Sequence, residues 1–134
     1  LRCLVGSEMC IRDRVYPGTH DNTTITAWWE SAATPKEKAT AAAYLHLTGA
    51  HPTAKELAAV KTADARTALL RAALGSVADR AIIPMYDWLG LGEEAHLNTP
   101  GKLGGNWAWR AAAGFESKTL AKTIADECSV YCRV

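Results

Sequence analysis

The chain has 134 residues, a length that fits one small domain or a piece of a larger one. Its 15 Lys plus Arg residues against 14 Asp plus Glu residues leave a net charge of +1, so no strong field draws in nucleic acid or an anionic membrane. No apolar run approaches the ~20 residues of a bilayer span, and the first residues lack the order of regions in a secretory signal. We expect a soluble cytoplasmic protein with no nucleic-acid or membrane partner.

Residues 1–14, LRCLVGSEMCIRDR, show neither helical nor strand periodicity, and they do not begin with Met. The stretch SEMCIRDR is similar to the conceptual translation of a sequencing adapter. We therefore expect a non-native leader over 1–14, with the native sequence beginning at Val15 and the chain being a truncated fragment.

The strand and helix signals begin at Val15. The pair VY at 15–16 followed by Pro-Gly predicts a short strand that runs into a loop, and this loop holds His20 and Asp21. Asn22 or Thr23 can cap the helix that follows. That helix carries three apolar side chains on one side: Ile25, Trp28 and Trp29.

The next helix has the clearest start and stop signals. Thr34 is its predicted N-cap, Pro35 takes the first helical position, Glu37 completes a capping box, and Gly49 lies just beyond the last turn. Residues 53–60 are expected to form another short helix.

Two more helices are predicted in the second half. Asp64 opens one whose apolar stripe comprises Leu70, Leu74 and Val77. Ser117 caps the other, which reaches the C-terminus.

Between these two helices lie a strand and two loops. RAIIPM at 80–85 is a short apolar run bounded by charge and proline, which predicts a strand buried on both faces of a parallel sheet. YDWLGLGEEA at 86–95 predicts a short turn or helix whose GEEA part is a solvated face, and NTPGKLGGNW at 98–107 predicts a loop.

The cysteines lie in two pairs at opposite ends of the chain: Cys3, Cys10, Cys128 and Cys132. Cys128 and Cys132 are spaced i, i+4 on the last predicted helix and could share a metal. No nearby histidine or second pair completes a tetrahedral set, so free thiols in a reducing compartment are the favoured interpretation.

The alternation of strand, helices, strand and helix is typical of an α/β protein. Two strands alone make a poor sheet, because a parallel pair needs further strands and helices on both faces. We therefore expect that part of the fold lies outside this chain. In such folds the loops after the carboxyl ends of the strands carry the chemistry, and PGTHDN and YDWLGLG both occupy that position.

Two blocks, YPGTHDNTTITAWW at 16–29 and IIPMYDWLGLGEEAHLNTPGKLGGNWAWR at 82–110, closely resemble the C-terminal part of the 4-α-glucanotransferases, also called amylomaltases or disproportionating enzymes. The resemblance runs from about Val15 to the end. GTHDN followed in order by LGLG, NTPG and NWxWR is a distinctive combination.

The resemblance implies a (β/α)8 barrel of the α-amylase clan, of which residues 15–134 would be the last two strand-helix units, a helix-rich fragment. This family breaks an α-1,4 glucosidic bond, holds the glycosyl part on an aspartate, and transfers it to the 4-hydroxyl of another glucan. The implied partners are α-1,4-glucans such as maltooligosaccharides and the breakdown products of starch or glycogen. No cofactor and no metal are implied.

Retaining chemistry of this type needs a nucleophilic carboxylate and an acid/base carboxylate about 5–5.5 Å apart. The family supplies both from earlier barrel strands, so we expect this chain alone to be inactive. Asp21 matches the third carboxylate of the clan, which stabilises the positively charged transition state, and His20 matches the histidine that donates to the same sugar. Substrate-binding candidates beside them are Asn22, Asn98, Asn106 and Trp107, of which the last three could equally close the barrel top.

Other interpretations remain open. His20 and Asp21 could simply close a loop at a helix start, and the His-Asp pair is also typical of metal-dependent phosphohydrolases. Those enzymes need further ligands, for which the remaining histidines show no matching partners. A small non-catalytic carbohydrate-binding or interaction module is the alternative function. The family usually has glutamine at Tyr86, which leaves a donor role there open.

Overall fold

The computed structural model describes residues 13–133. Most of the expected leader, with Cys3 and Cys10, lies outside the described residues. The described part is mixed α/β, mostly helical, with two short parallel strands. In chain order its elements are β1 (Arg14–Val15), α1 (Ile25–Ala27), a π-helical turn (Trp28–Ala32), α2 (Pro35–Tyr44), α3 (Ala54–Ala59), α4 (Thr62–Leu74), β2 (Arg80–Ala81), α5 (Met85–Leu89), a 3-10 turn (Glu93–Ala95) and α6 (Lys118–Val130).

Each strand overlaps its predicted segment without matching its bounds, since β1 covers Arg14–Val15 where 15–16 was predicted and β2 covers Arg80–Ala81. They pair in parallel with Val15 opposite Ala81, and the N–H of Ile82 donates to the carbonyl of Val15 over 2.9 Å. The prediction of a strand buried on both faces over 80–85 is wrong: β2 ends at Ala81, and Ile82 is 42% exposed. Within residues 13–133 the sheet has only these two strands, and so small a sheet offers few neighbours to cover its side chains.

The first helix begins later than the sequence suggests. Its N-cap is Thr24, whose hydroxyl accepts a hydrogen bond from the N–H of Ala27 over 3.1 Å. The predicted caps are wrong because their side chains bond elsewhere. The amide oxygen of Asn22 accepts from Thr19, and the hydroxyl of Thr23 donates to Glu93.

The capping box that opens α2 is confirmed, since Thr34 and Glu37 each bond the other's backbone N–H. This helix ends at Tyr44, earlier than predicted, and His46 then adopts a left-handed backbone with φ 57°. The short helix expected over 53–60 is also confirmed as α3, and it too begins with a capping box, between Thr53 and Glu56.

The longest central helix, α4, begins at Thr62, slightly before the predicted Asp64. Leu70 and Leu74 are buried as predicted. The assignment of Val77 to the same stripe is wrong: the helix ends at Leu74, and Val77 is 89% exposed. The last helix, α6, begins after Ser117 as predicted, although it ends at Val130.

Two apolar clusters hold these elements together. The larger joins the π-helical turn, α2 and α4 through Trp29, Ala41, Ala42 and Ala65, with Trp28 packed against them. Both tryptophans therefore have a packing role. The smaller cluster places Val15 of β1 against Ala73 and Ala78, at the end of α4 and in the turn after it.

Charged side chains tie the end of the chain to α4. The guanidinium of Arg71 forms a paired hydrogen bond with the carboxylate of Glu127 on α6, with its shortest contact at 2.6 Å. Arg133 donates to backbone carbonyls in and beyond the last turn of α4, at Leu74, Ser76 and Ala78. None of the helices in the described part of the chain combines the length and apolar character needed to cross a membrane.

Candidate functional site

The segment between β1 and α1 carries the predicted site residues. Its centre is a tight turn in which Asn22 accepts from both the backbone N–H and the hydroxyl of Thr19 at 2.8 Å, while the N–H of Asn22 donates back to the carbonyl of Thr19. Asn22 thus closes the turn, and His20 and Asp21 occupy its middle. Their side chains are 52% and 46% exposed.

Asp21 is held by two contacts to the same carboxylate oxygen. Nδ2 of Asn98 donates to Oδ1 over 2.5 Å, and Nε2 of His20 lies 3.4 Å from Oδ1. The backbone N–H of Asn98 also donates to the carbonyl of His20. Asn98 therefore fixes both residues of the turn, and neither of these contacts uses Oδ2.

Trp107 lies beside the same turn. The centroid of its ring is 5.1 Å from the His20 ring, with the two planes tilted by 38°. Its backbone has φ 63°, an uncommon value for a bulky residue, and its N–H donates to the carbonyl of Leu97 over 2.6 Å. The side chain is 53% exposed, so an apolar ring face is available next to two polar groups.

Asn106 has a different environment. Its side-chain oxygen accepts from the N–H of Thr99 over 3.0 Å, and its Nδ2 donates to the carbonyl of Lys102 over 3.0 Å. The side chain therefore closes the 98–107 loop upon itself. Of the predicted residues, the structure brings together His20, Asp21, Asn98 and Trp107, while Asn22 and Asn106 shape the two loops.

Glu93, in the 3-10 turn, links the end of the 16–24 loop to His96, which precedes the 98–107 loop. Its carboxylate accepts from the hydroxyl of Thr23 and lies 2.9 Å from Nδ1 of His96. The bond from Thr23, and then His96, holds the pKa of Glu93 below its usual value. The side chain of Glu93 is 67% exposed, as expected of a solvated face, but it also has a structural role, because its partner Thr23 comes from a distant part of the chain.

Asp87 bonds the start of α1, directly after the loop that carries His20 and Asp21. This role was not predicted from the sequence. Asp87 is 2% exposed, and its Oδ1 accepts from the N–H of Ile25 at the start of α1 over 2.9 Å. Burial raises the pKa of Asp87 to about 6, against the opposing effects of this hydrogen bond and of Arg66. A carboxylate within the apolar stretch MYDWL was the available signal, because such groups are buried only with partners.

The neighbour of Asp87 is also buried. Tyr86 is 5% exposed and meets Trp109 edge-to-face, with ring centroids 6.0 Å apart. Burial raises the pKa of the Tyr86 hydroxyl. Its ring has a packing role, and no donor role is evident at the surface.

The remaining metal and thiol predictions concern other parts of the chain. Cys128 and Cys132 are free, and Cys132 lies beyond the end of α6 with φ 53°, so the predicted helical i, i+4 pair is wrong. Among residues 13–133, His, Cys, Asp and Glu side chains form no group of three that could hold a metal ion.

The geometry indicates what the site can do chemically. A carboxylate, an imidazole and an indole ring surround a half-exposed surface, which suits hydrogen bonds to hydroxyl groups and stacking against a sugar ring. Two open cavities, about 490 and 320 Å³, lie elsewhere, one lined by Arg71 and Tyr131 and the other by Lys36 and His51. The side chains of His20 and Asp21 are about half exposed, so the site faces solvent.

Comparison with known proteins gives a consistent result. Residues 9–116 match the family model described as 4-alpha-glucanotransferase. The chain is 43% identical over 100 residues to the 4-alpha-glucanotransferase of Thermus thermophilus, covering 75% of this chain and 18% of that protein. It is 38% identical over 123 residues to the chloroplastic/amyloplastic enzyme of Arabidopsis thaliana, covering 90% of this chain and 19% of that protein.

The fold agrees with these sequence matches. An amylomaltase from Streptococcus agalactiae, solved in complex with acarbose, superimposes with a TM-score of 0.72 at 27% identity, over 90% of this chain and 22% of the other. The chain spans about a fifth of the length of the relatives it matches. On these findings the chain belongs to the 4-alpha-glucanotransferase family.

Proposed function

We propose that this chain is the C-terminal part of a longer 4-α-glucanotransferase and forms the last two strand-helix units of its (β/α)8 barrel. The parallel pairing of β1 and β2, each followed by a loop of the site, supports this placement. The leader over 1–14 stays a prediction, and the family match begins at residue 9. A cytoplasmic location also stays a prediction.

The proposed reaction is retaining transfer of an α-1,4-glucan segment to the 4-hydroxyl of an acceptor glucan or glucose. In such a reaction one carboxylate attacks the anomeric carbon while a second protonates the leaving oxygen, and the transition state carries positive charge on the sugar. The nucleophile and the acid/base would come from the part of the barrel outside this chain. The segment alone should then bind weakly and transfer nothing.

Asp21 is proposed as the carboxylate that stabilises this charge. The observation that carries the proposal is its half-exposed side chain, fixed through Oδ1 by Asn98 with Oδ2 outside that contact. A carboxylate fixed before the reaction stabilises developing positive charge without the cost of reorienting. His20 would donate to a hydroxyl of the same sugar, and Trp107 would offer its exposed ring face to a neighbouring one.

The proposed partners are α-1,4-glucans, namely maltooligosaccharides and the breakdown products of starch or glycogen. The acarbose complex of the Streptococcus agalactiae amylomaltase supports this class of ligand. No cofactor has a place in the proposed reaction, since both displacement steps need only carboxylates.

The test is maltotriose disproportionation by two proteins: the 134-residue chain and the longer enzyme obtained from the adjoining source DNA. The proposal expects longer and shorter oligosaccharides from the longer enzyme and none from the chain alone. Vigorous transfer by the chain alone would contradict it. A longer enzyme that binds maltotriose without transferring it would favour the carbohydrate-binding module instead.

A further inference from the structure

The carboxylate of Asp87 is buried in α5, on the other strand-helix unit from His20 and Asp21, and it contacts the end of their loop. Its Oδ1 accepts from the N–H of Ile25, the first residue of α1. The loop that begins after β1 ends where α1 begins. One hydrogen bond therefore joins the far end of the site loop to the helix that follows β2.

We propose that Asp87 is a positioning residue, whose buried carboxylate fixes the end of the 16–24 loop and so holds Asp21 in place against the reacting sugar. The proposal rests on the function proposed above for Asp21. Asp87 itself is too buried to touch a sugar, so its effect on transfer must act through the loop.

The loop is attached at four places: Thr23 bonds Glu93, and three further attachments lie at the start, middle and end of the loop, of which Asp87 provides the last. At its start the carbonyl of Val15 accepts from Ile82 within the strand pair, and in its middle Asn98 bonds His20 and Asp21. At its end Ile25 is itself buried, so its N–H would lose its partner if the Asp87 carboxylate were removed. The structure thus gives Asp87 a bond that water cannot readily replace.

Arg66 stabilises the ionised form of Asp87 from α4. Its charge opposes the effect of burial on the pKa of Asp87. Its guanidinium lies against Gly90, where an added Cβ would fall 1.6 Å from Nη1, and Gly90 has the left-handed φ of 71°. Because glycine has no Cβ, position 90 leaves room for the Arg66 guanidinium beside α5.

The experiment compares Asp87→Ala and Asp87→Asn in the longer enzyme, with Leu74→Ala as a control for general destabilisation. Leu74 is buried at the C-terminal end of α4, where its carbonyl accepts from Arg133. We expect Asp87→Ala to lower kcat for maltotriose about 100-fold, as misplacement of a reacting group does, with KM changing less. Asp87→Asn keeps an acceptor oxygen and should stay within about threefold of the wild type, as should Leu74→Ala at temperatures where it is folded.

A double substitution separates positioning from a merely structural role. If Asp87 acts through Asp21, Asp87→Ala should cost at most about threefold more in an Asp21→Asn background, because the effects of coupled residues do not multiply. Full multiplication of the two losses would overturn the proposal. So would an Asp87→Asn enzyme that loses as much kcat as Asp87→Ala.

Amide hydrogen exchange in the 16–24 loop tests the proposal without an activity measurement. Peptides covering residues 16–24 should exchange at least about tenfold faster in Asp87→Ala than in the wild type, with α6 unchanged. If Asp87→Ala does not fold, Ile25→Pro replaces it, because proline suits the first position of a helix and removes the N–H that Asp87 accepts. Exchange in the loop should again rise, and an unchanged loop would count against the proposal. A wild-type enzyme without transfer activity would refute the proposed function, whereas unchanged exchange in Asp87→Ala would refute this inference alone.

Discussion

The two ends of the strand pair use charged groups in contrasting ways. At the end where β2 begins, the guanidinium of Arg133 donates to the carbonyls of Leu74, Ser76, Ala78 and Asp79. At the other end Asp21 is contacted at one oxygen and remains half exposed. A charged group that bonds mostly to backbone carbonyls, as Arg133 does apart from one bond to the hydroxyl of Ser76, stabilises the scaffold. One that is fixed on one side and exposed on the other can receive a ligand.

Among the substitutions that test this contrast, Asp21→Asn should have the largest effect, and the effect should be on transfer activity. In the longer enzyme it should lower kcat/KM for maltotriose transfer by on the order of 3 kcal/mol of transition-state stabilisation, because a preorganised charge is lost. The melting temperature should hardly change, since the side chain is half exposed. Asp79→Asn, an exposed aspartate at the opposite end, is the matched control and should keep wild-type transfer. Equal turnover in Asp21→Asn and Asp79→Asn would contradict the assignment of the ligand-binding role to the end of the strand pair that carries Asp21.

Asp87 should make the stability of the site end depend on pH. Its pKa is about 6 when folded against 3.8 for the ordinary carboxyl, so the folded state binds the proton more tightly. This contribution, roughly 3 kcal/mol, is fully present below about pH 3.8 and is lost as pH rises through about 6. Relative to Asp87→Asn, the wild type should therefore lose unfolding free energy between about pH 4 and pH 7.5.

Urea unfolding of both proteins at these two pH values measures the difference. The lowered pKa values of other carboxyls, such as Glu93 and Glu127, affect both proteins alike and cancel. A difference that is the same at both pH values would show that Asp87 titrates normally and is not buried as described.

Arg133→Ala should affect only the scaffold end. It removes the donors for several carbonyls beyond α4, which should lower the free energy of unfolding by about 2 kcal/mol, the scale of hydrogen bonds from a charged group. Thermal unfolding measures this loss. Transfer per folded molecule should be unchanged, and a large fall in kcat at full folding would show that the two ends are coupled.

Thr34→Ala should have the smallest effect and shows that exposure alone does not make a site. Thr34 is exposed like Asp21, but its hydroxyl accepts from the N–H of Glu37. Loss of this cap should cost about 1 kcal/mol of stability with no effect on transfer. Thr40→Ala, within the same helix, is the control and should be nearly neutral, so equal stability losses in both variants would argue against the cap.

Local signals were predictable from the sequence and distant ones were not. The capping box of α2 was predicted correctly because Thr34, Pro35 and Glu37 carry the whole signal within one helical turn. The cap of α1 was missed because the hydroxyl of Thr23 bonds Glu93, 70 positions away. No local pattern distinguishes Thr23 from Thr24.

The site shows the same division. His20, Asp21, Asn98 and Trp107 could be named because contiguous motifs carry them, and the structure places them together. The hydrogen bond of Asp87 could not be predicted from the sequence, since its partner Ile25 is 62 positions away.

The most direct test of the central claim is maltotriose transfer by a chimaera in which residues 15–133 replace the matching segment of the Thermus thermophilus 4-alpha-glucanotransferase. The chimaera should transfer glucosyl units, and Asp21→Asn in it should lose at least about 100-fold in kcat, the scale of one lost charge-stabilising group. A folded, active chimaera whose Asp21→Asn variant turns over as fast as the parent would contradict the assignment of the sugar-binding end to this segment.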